Sequence, residues 1–345
     1  MAGMEFRESA RLGGIAYAAL AAAVRHGAGV RGLQTAETKD GGLACHTPMG
    51  HFKIHPDEGA VRLELSAENG EFLQTLKEGL VDQFSAAMPE LAKRIQWDNP
   101  VEVGALPPNF RLMQVVSVTP ICREFLRVRL AGKNLEPFSG ERMHFRLALP
   151  ASGNPEPDWP RLDANGRTVW PEGDNRLHRP AYTTVWSDAG NGLLDFDVFI
   201  HEGGRVTDWA RSAQAGARIG MIGPGGSATV DATKMIIAGD ETAYPAIARQ
   251  LAHVNGKAKG EVALFSAAGS DYPLEAPPGF DVARIPSCET EQIHDWIKAR
   301  ATEDWNGFLW VACEKSVIQP LRMYYRERLG WGADRTYLAG FWTAM

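Results

Sequence analysis

The stretch LLDFDVFIHEGGRVTDWA, residues 193–210, holds a strand, a turn and a helix start in eighteen residues. Leu194, Phe196, Val198 and Ile200 alternate with Asp195, Asp197 and Phe199, the period of two that marks a half-buried strand. Gly204 permits a tight turn, and Arg205–Trp209 can begin a short helix. Backbone N–H groups at such a helix start attract phosphate.

The same alternation recurs upstream. Leu126, Val128 and Leu130 are interleaved with Arg127 and Arg129; Met143, Phe145, Leu147 and Leu149 with His144, Arg146 and Ala148. Half-buried strands separated by Gly/Pro turns predict a small antiparallel β-barrel over 106–231. The proline-rich stretch 151–177 is expected as a loop over its surface.

Beyond 232 the pattern changes. Short apolar runs at 234–238, 261–265, 282–285, 308–312 and 336–339 are separated by helical patterns such as 243–254 and 315–329. This predicts an α/β open parallel-sheet domain over 232–345, with ligands at the carboxyl ends of its strands. A barrel followed by such a domain suits a flavin on the first and a nicotinamide on the second.

Residues 1–105 read as an α+β accessory domain. Leu12, Ile15, Ala19, Leu20 and Ala23 fall on one helical face, with Gly27 as a stop. Val61, Leu63 and Leu65 mark a strand. Asn69 caps a helix whose buried stripe is Phe72, Leu76, Leu80 and Phe84. Pro89, Pro100, Pro107 and Pro108 suggest a linker near 99–109. GGIAYAALAAAV (13–24) imitates a secretion signal, but Glu5 and Glu8 offset Arg7 and Arg11, so a cytoplasmic protein is expected.

Net charge is −6, from 36 basic and 42 acidic residues, which argues against a nucleic-acid partner. The four cysteines lie far apart, which fits reduced thiols. No apolar run reaches the ~18 residues of a membrane span, so no membrane insertion is expected. Cys45, His46, His51 and His55 lie within eleven residues, but their spacing matches no zinc pattern and no metal site is assigned.

PAYT (180–183), DFDVFIHEGG (195–204), GRVTDWA (204–210), GPGG (223–226), AGDETAYPAI (238–247), WVACEK (310–315) and YLAGFW (337–342) follow one another in order. Together they resemble the siderophore-interacting, or ferric-siderophore reductase, family, which is related to ferredoxin–NADP reductase. The resemblance covers the last two-thirds of the chain. More weakly, the first region resembles a domain of unknown function fused to some of these reductases.

The resemblance implies FAD on the barrel, NADH or NADPH on the α/β domain, and a ferric-siderophore as substrate. A ferredoxin is a further partner it allows. Electrons would pass from NAD(P)H through flavin to Fe(III), releasing Fe(II). The family's R-x-Y-[S/T] motif would put Tyr182 on the flavin ring and Thr183 at its reactive edge. Pro180 stands where the arginine belongs, which leaves Arg179 to reach phosphate from one residue earlier. Ile200, His201, Arg205, Val206 and Thr207 would add FAD contacts, Arg205 replacing the usual proline. Asp240, Thr242 and Ala243 would lie where nicotinamide and flavin meet. Thr183, Asp240 and Thr242 are the implied catalytic positions.

Plainer roles stand beside these. Tyr182 and Trp209 would pack, and His201 would bond to backbone. Asp240 or Thr242 would cap a helix, and Cys313 would be a small buried residue. Glu314 would cap a helix or meet ribose. Ser266 is neither acidic nor basic, so it does not choose between NADH and NADPH. Lys315, Arg322 and Arg335 are loose candidates for a basic substrate pocket. The alternatives are a flavin reductase for ferredoxin or quinone, and a ferric-siderophore-binding protein without flavin.

Overall fold

The computed structural model describes residues 6–92, 95–99, 101–151, 154, 156–164 and 166–344. Glu5 and Pro100, used above, lie outside these residues. Contacts divide the chain into two units. One is Met1–Arg111 with Gly153–His178; the other is Leu112–Ser152 with Arg179–Met345. No helix among the described residues is long and apolar enough to cross a membrane.

In the first unit an antiparallel sheet carries strands in the order Thr35–Glu37, Leu43–Thr47, Gly50–Asp57, Ala60–Ala67, Phe6–Gly13 and Gln96–Trp97. The helices Tyr17–Val30 and Gly70–Ala87 supply the rest of its apolar core. The Asn69 side chain accepts from the Phe72 N–H at 2.8 Å, and Phe72, Leu76, Leu80 and Phe84 are buried, as their spacing predicts.

The first helix departs from expectation at both ends. Leu12 belongs to the strand Phe6–Gly13, where Glu8, Ala10 and Leu12 turn inward. Gly27 does not stop the helix. A Cβ there would lie 2.0 Å from the Gln83 amide, so the missing side chain lets the two helices approach. Strand alternation also divides the histidine-rich segment. Cys45 enters the core, whereas His46 and His51 pair across neighbouring strands with their rings outside it.

The proline-rich insertion clusters with the first unit rather than with the barrel strands. It belongs to the first unit, where Gly166 O accepts from Gln74 and Thr168 bonds Glu78. Phe110 meets both Trp159 and Trp170. Its apolar residues follow no period, so its partners lie in long-range contacts.

The second unit contains the barrel and the α/β sheet. Barrel strands run in the order Ala181–Thr183, Arg142–Ala148, Arg218–Ala228, Phe110–Cys122, Phe125–Ala131, Leu193–Phe199, Trp186–Asp188. The two ends of this sheet are consecutive in the chain. Thr184 N donates to Met143 O and Val185 N to Asp195 O, so residues 181–188 close the barrel.

The five parallel strands of the second sheet are ordered Phe280–Ile285, Lys259–Phe265, Lys234–Gly239, Phe308–Glu314, Thr336–Trp342. The strand order reverses between Lys234–Gly239 and Phe308–Glu314, which is where such sheets bind ligands.

Asp195 and Asp197, on the polar side of their strand, are both buried. Arg129 and Arg127 bind them in two-pronged ion pairs, each bond 2.7–2.8 Å. Tyr272 of the α/β part donates to Asp197 Oδ2 at 2.7 Å, and its ring packs 4.7 Å from Phe125 of the barrel. Asp197 thus joins the two parts of the unit. Tyr272→Phe is expected to cost about 2 kcal/mol, the worth of a hydrogen bond to a charged acceptor. Asp197→Asn should cost more, and the double variant less than the sum, as measured by urea denaturation.

Candidate functional site

The face that each side chain takes follows from register. Ala181 pairs with Arg146, Tyr182 with Phe145, and Thr183 with His144. Phe145 is core, and Tyr182 opposite it points the same way. The Tyr182 ring meets the fully buried Phe196 edge-on at 5.1 Å. Tyr182, expected at the flavin wall, thus packs on the barrel core with its ring half-buried. By the same alternation Ala181 and the buried Thr183 share the opposite, outer face with His144 and Arg146. Arg146 Nη1 donates to the Arg179 carbonyl at 3.0 Å. Arg179 therefore stands two residues before an alanine on the outer face.

His144 is the residue the motifs did not reveal. Its Nδ1 lies 3.2 Å from Thr183 Oγ1, and its buried Nε2 has no partner among the described residues. Burial pushes its pKa down to about 4, against the opposing pull of the Tyr182 carbonyl, so the ring is neutral at pH 7. The Phe341 ring, from the last strand of the α/β sheet, stands perpendicular to it at 5.5 Å. This contact brings the barrel's outer face to the carboxyl end of the parallel sheet.

Asp240 sits at that end, buried, with four donors. They are Thr242 N at 3.1 Å, Thr242 Oγ1 at 2.5 Å, Glu314 N at 2.9 Å and Trp342 Nε1 at 2.8 Å. Burial raises its pKa, and the hydrogen bonds from Thr242 and Trp342 oppose that. Asp240 and Thr242 thus tie the ends of three strands, and Asp240 caps the short helical turn Glu241–Ala243. Ala243 is fully buried beneath Gly239, where a Cβ would come within 2.6 Å of it. Its side chain is core, so a cofactor could meet it only through backbone groups.

Glu314 accepts from Ser316 at the start of the helix Lys315–Arg322 and from Ala344 N at 3.1 Å. The Ser316 hydroxyl lowers its pKa. Cys313 is fully buried, and desolvation raises its thiol well above the ordinary range.

At the turn 200–204, Ile200 packs on the barrel core and Val206 is buried in it. Thr207 Oγ1 donates to Phe199 O and accepts from His201 N. Val206 and Thr207 can therefore meet a ligand only through backbone groups. His201 is exposed, with Nδ1 3.2 Å from Glu202 O. Gly204 has no room for a Cβ, which would lie 2.7 Å from the His201 ring. No side chain caps the helix Arg205–Ser212, and Arg205 is exposed at its first turn.

The three basic candidates part company. Lys315 is exposed at the carboxyl end of the sheet. Arg322 is committed to the Leu338 carbonyl through Nε and Nη2. Arg335 donates to Trp305 O and covers the Trp331 ring at 3.9 Å, at the amino end of the last strand, away from the site. Ser266 is buried and cannot read a ribose.

Comparison with known proteins places the family. Residues 114–228 match the siderophore-interacting FAD-binding domain, and residues 232–345 match the siderophore-interacting protein family. The NADPH-dependent ferric-chelate reductase of Escherichia coli is 29% identical over 252 residues, spanning 68% of this chain and 94% of that protein. Ferric vibriobactin reductase ViuB of Vibrio cholerae is 33% identical over 162 residues, 45% of this chain and 58% of its own length. A siderophore utilization protein from T. fusca superposes with a TM-score of 0.54 at 26% identity, covering 70% of this chain and 95% of that one.

The neutral imidazole makes stability depend on pH. In the unfolded chain His144 takes up its proton near 6.5, whereas in the fold it does so only near 4. Its contribution is complete above pH 6.5 and is lost as pH falls toward 4, by about 3 kcal/mol in all. His144→Gln should flatten this part of the acid limb, read as urea midpoints between pH 7 and 4. An unchanged slope would mean the ring is not held neutral.

Proposed function

The chain belongs over residues 114–345 to the siderophore-interacting family, and we propose that it is an FAD-dependent ferric-siderophore reductase drawing electrons from NAD(P)H. The observation that carries this reading is the His144–Phe341 contact. It sets an outer barrel face bearing Thr183, His144 and Arg146 beside the carboxyl end of a parallel sheet.

The residues fit a flavin nucleotide. A buried ring nitrogen lacks a partner at His144, and the helix Arg205–Ser212 has no side-chain cap. Arg146 adds positive charge on that face and donates to the backbone of Arg179. We assign Arg179, with the helix start at Arg205–Thr207, to the diphosphate, and Thr183 to the ring edge. Ala181 then stands where the family's aromatic residue belongs, and Tyr182 supports the strand from within. Asp240 and Thr242 shape the nicotinamide side by fixing the strand ends. A bound flavin supplies the conversion of a two-electron donor into single-electron steps.

The substrate is Fe(III) held by a siderophore, and reduction releases it because such chelators hold Fe(II) less tightly. Lys315 remains in position to meet an anionic chelate. The buried Asp240 latch and the apolar Trp310–Phe341 contact keep water from the sheet end beside it.

The purified protein should bind FAD and show an oxidised-flavin spectrum. Anaerobic NADPH or NADH should bleach it, and a ferric-siderophore should restore it with one Fe(II) trapped per electron. A protein that cannot be loaded with FAD is a binding protein and not a reductase. Arg179→Ala should weaken FAD binding about 10- to 100-fold, the loss of a charge-assisted hydrogen bond. Equal affinity would assign the diphosphate to Arg205 or Arg146.

A further inference from the structure

We propose that His144 is the positioning residue of this site: its Nδ1–H holds the Thr183 hydroxyl so that Thr183 donates its own proton to the bound flavin. The inference rests on the reading of the outer barrel face as the FAD site. It goes beyond that reading by naming a residue outside the motifs and the direction of a hydrogen bond.

Geometry and proton counting carry it. The strand register sets His144 directly opposite Thr183, with both on the outer face. Their polar atoms are 3.2 Å apart, and the Thr183 hydroxyl has no other hydrogen-bond partner described. The ring is buried and neutral, so it has one N–H and one bare nitrogen. With the proton on Nε2, a buried N–H would have no acceptor among the described residues. With the proton on Nδ1, the N–H meets Thr183 Oγ1, the Tyr182 carbonyl also drawing on the ring, and only a lone pair is left unmatched at Nε2. Stranding a donor is the costlier choice, and buried donors without acceptors are rarer than under-used acceptors.

The Nδ1–H form has a consequence for Thr183. A hydroxyl that accepts from His144 cannot also spend its proton on His144, so that proton is available to an acceptor beside it. An oxidised flavin offers acceptor nitrogen and carbonyl oxygen along its ring edge. The strand is rigid here, because Thr184 N is bonded to Met143 O and both neighbours of Thr183 are paired or packed. Gly226 gives the ring its place: a Cβ there would lie 2.7 Å from His144 Cδ2. His144 therefore acts through Thr183 and not as a proton carrier.

Three full-length variants separate the possibilities. Asparagine can put an amide N–H near the Nδ1 position, glutamine near Nε2, and leucine offers neither. FAD is titrated into each apoprotein by fluorescence quenching, and the flavin midpoint potential is measured on each loaded protein. His144→Asn should keep FAD affinity and potential near wild type. His144→Gln and His144→Leu should bind FAD about tenfold more weakly, the scale of one hydrogen bond, with a shifted potential. Thr183→Val should match His144→Leu, and the double variant should be no worse than either. In the wild-type protein, ¹⁵N chemical shifts should report His144 protonated at Nδ1.

Equal affinity and potential in all variants would overturn the proposal, as would retention by glutamine but not asparagine, or additive losses in the double variant. If a leucine variant fails to fold, the asparagine variant, Thr183→Val and the ¹⁵N shifts still decide. A wild-type protein that takes up no FAD refutes the underlying reading instead, and the two failures are thereby distinguishable.

Discussion

The pairing of Ala181–Thr183 with Arg142–Ala148 is the constraint on which the site depends. A β-strand presents alternate residues to opposite faces, so one residue of register decides which side chains reach a ligand and which enter the core. Here Tyr182 and Phe145 face the core, and the outer face takes Ala181, Thr183, His144 and Arg146. The same short segment closes the barrel, passing from one end strand of the sheet to the other through Thr184 and Val185. The closure holds the register: a slip would break both sets of hydrogen bonds and drive the Tyr182 ring out of contact with Phe196.

A second constraint acts from the α/β side. Asp240 is a buried carboxylate whose oxygens receive donors from the helical turn at Thr242 and from two strand ends, and this fixes where Phe341 and Trp342 lie. Desolvation makes such a carboxylate costly unless its hydrogen bonds are complete, and here they come from residues 242, 314 and 342. Asp197, held by Arg127 and Tyr272, secures the joint between barrel and sheet in the same manner. Positions that motif reading assigns to chemistry thus serve first to hold the geometry.

Much of this was legible in the chain. The alternation at 126–130, 143–149 and 194–200 marks barrel strands because each buries one face. The Asn69 cap and the spacing from Phe72 to Phe84 mark a helix for equally local reasons. The failures are non-local. Leu12 fits a helical face on spacing, but pairing with Val61 places it in a strand. The insertion near 160 has no period, and its contacts with Gln74, Glu78, Gly104, Ala105 and Phe110 attach it to the first unit. Motif spacing counted from Tyr182 left the arginine misplaced; counted along the outer face, Arg179 falls two residues before Ala181. His144 sat in an evident strand, but its meaning depends on a partner 39 residues away.

The register of this strand is tested most directly at Tyr182, by comparing stability with cofactor affinity in Tyr182→Leu. If the ring packs in the barrel, the variant melts several degrees lower, as a truncated core aromatic should. Its FAD dissociation constant, measured well below the melting range, stays within about twofold of wild type. An unchanged melting temperature with FAD binding weakened about tenfold or more would place Tyr182 against the flavin and contradict the account.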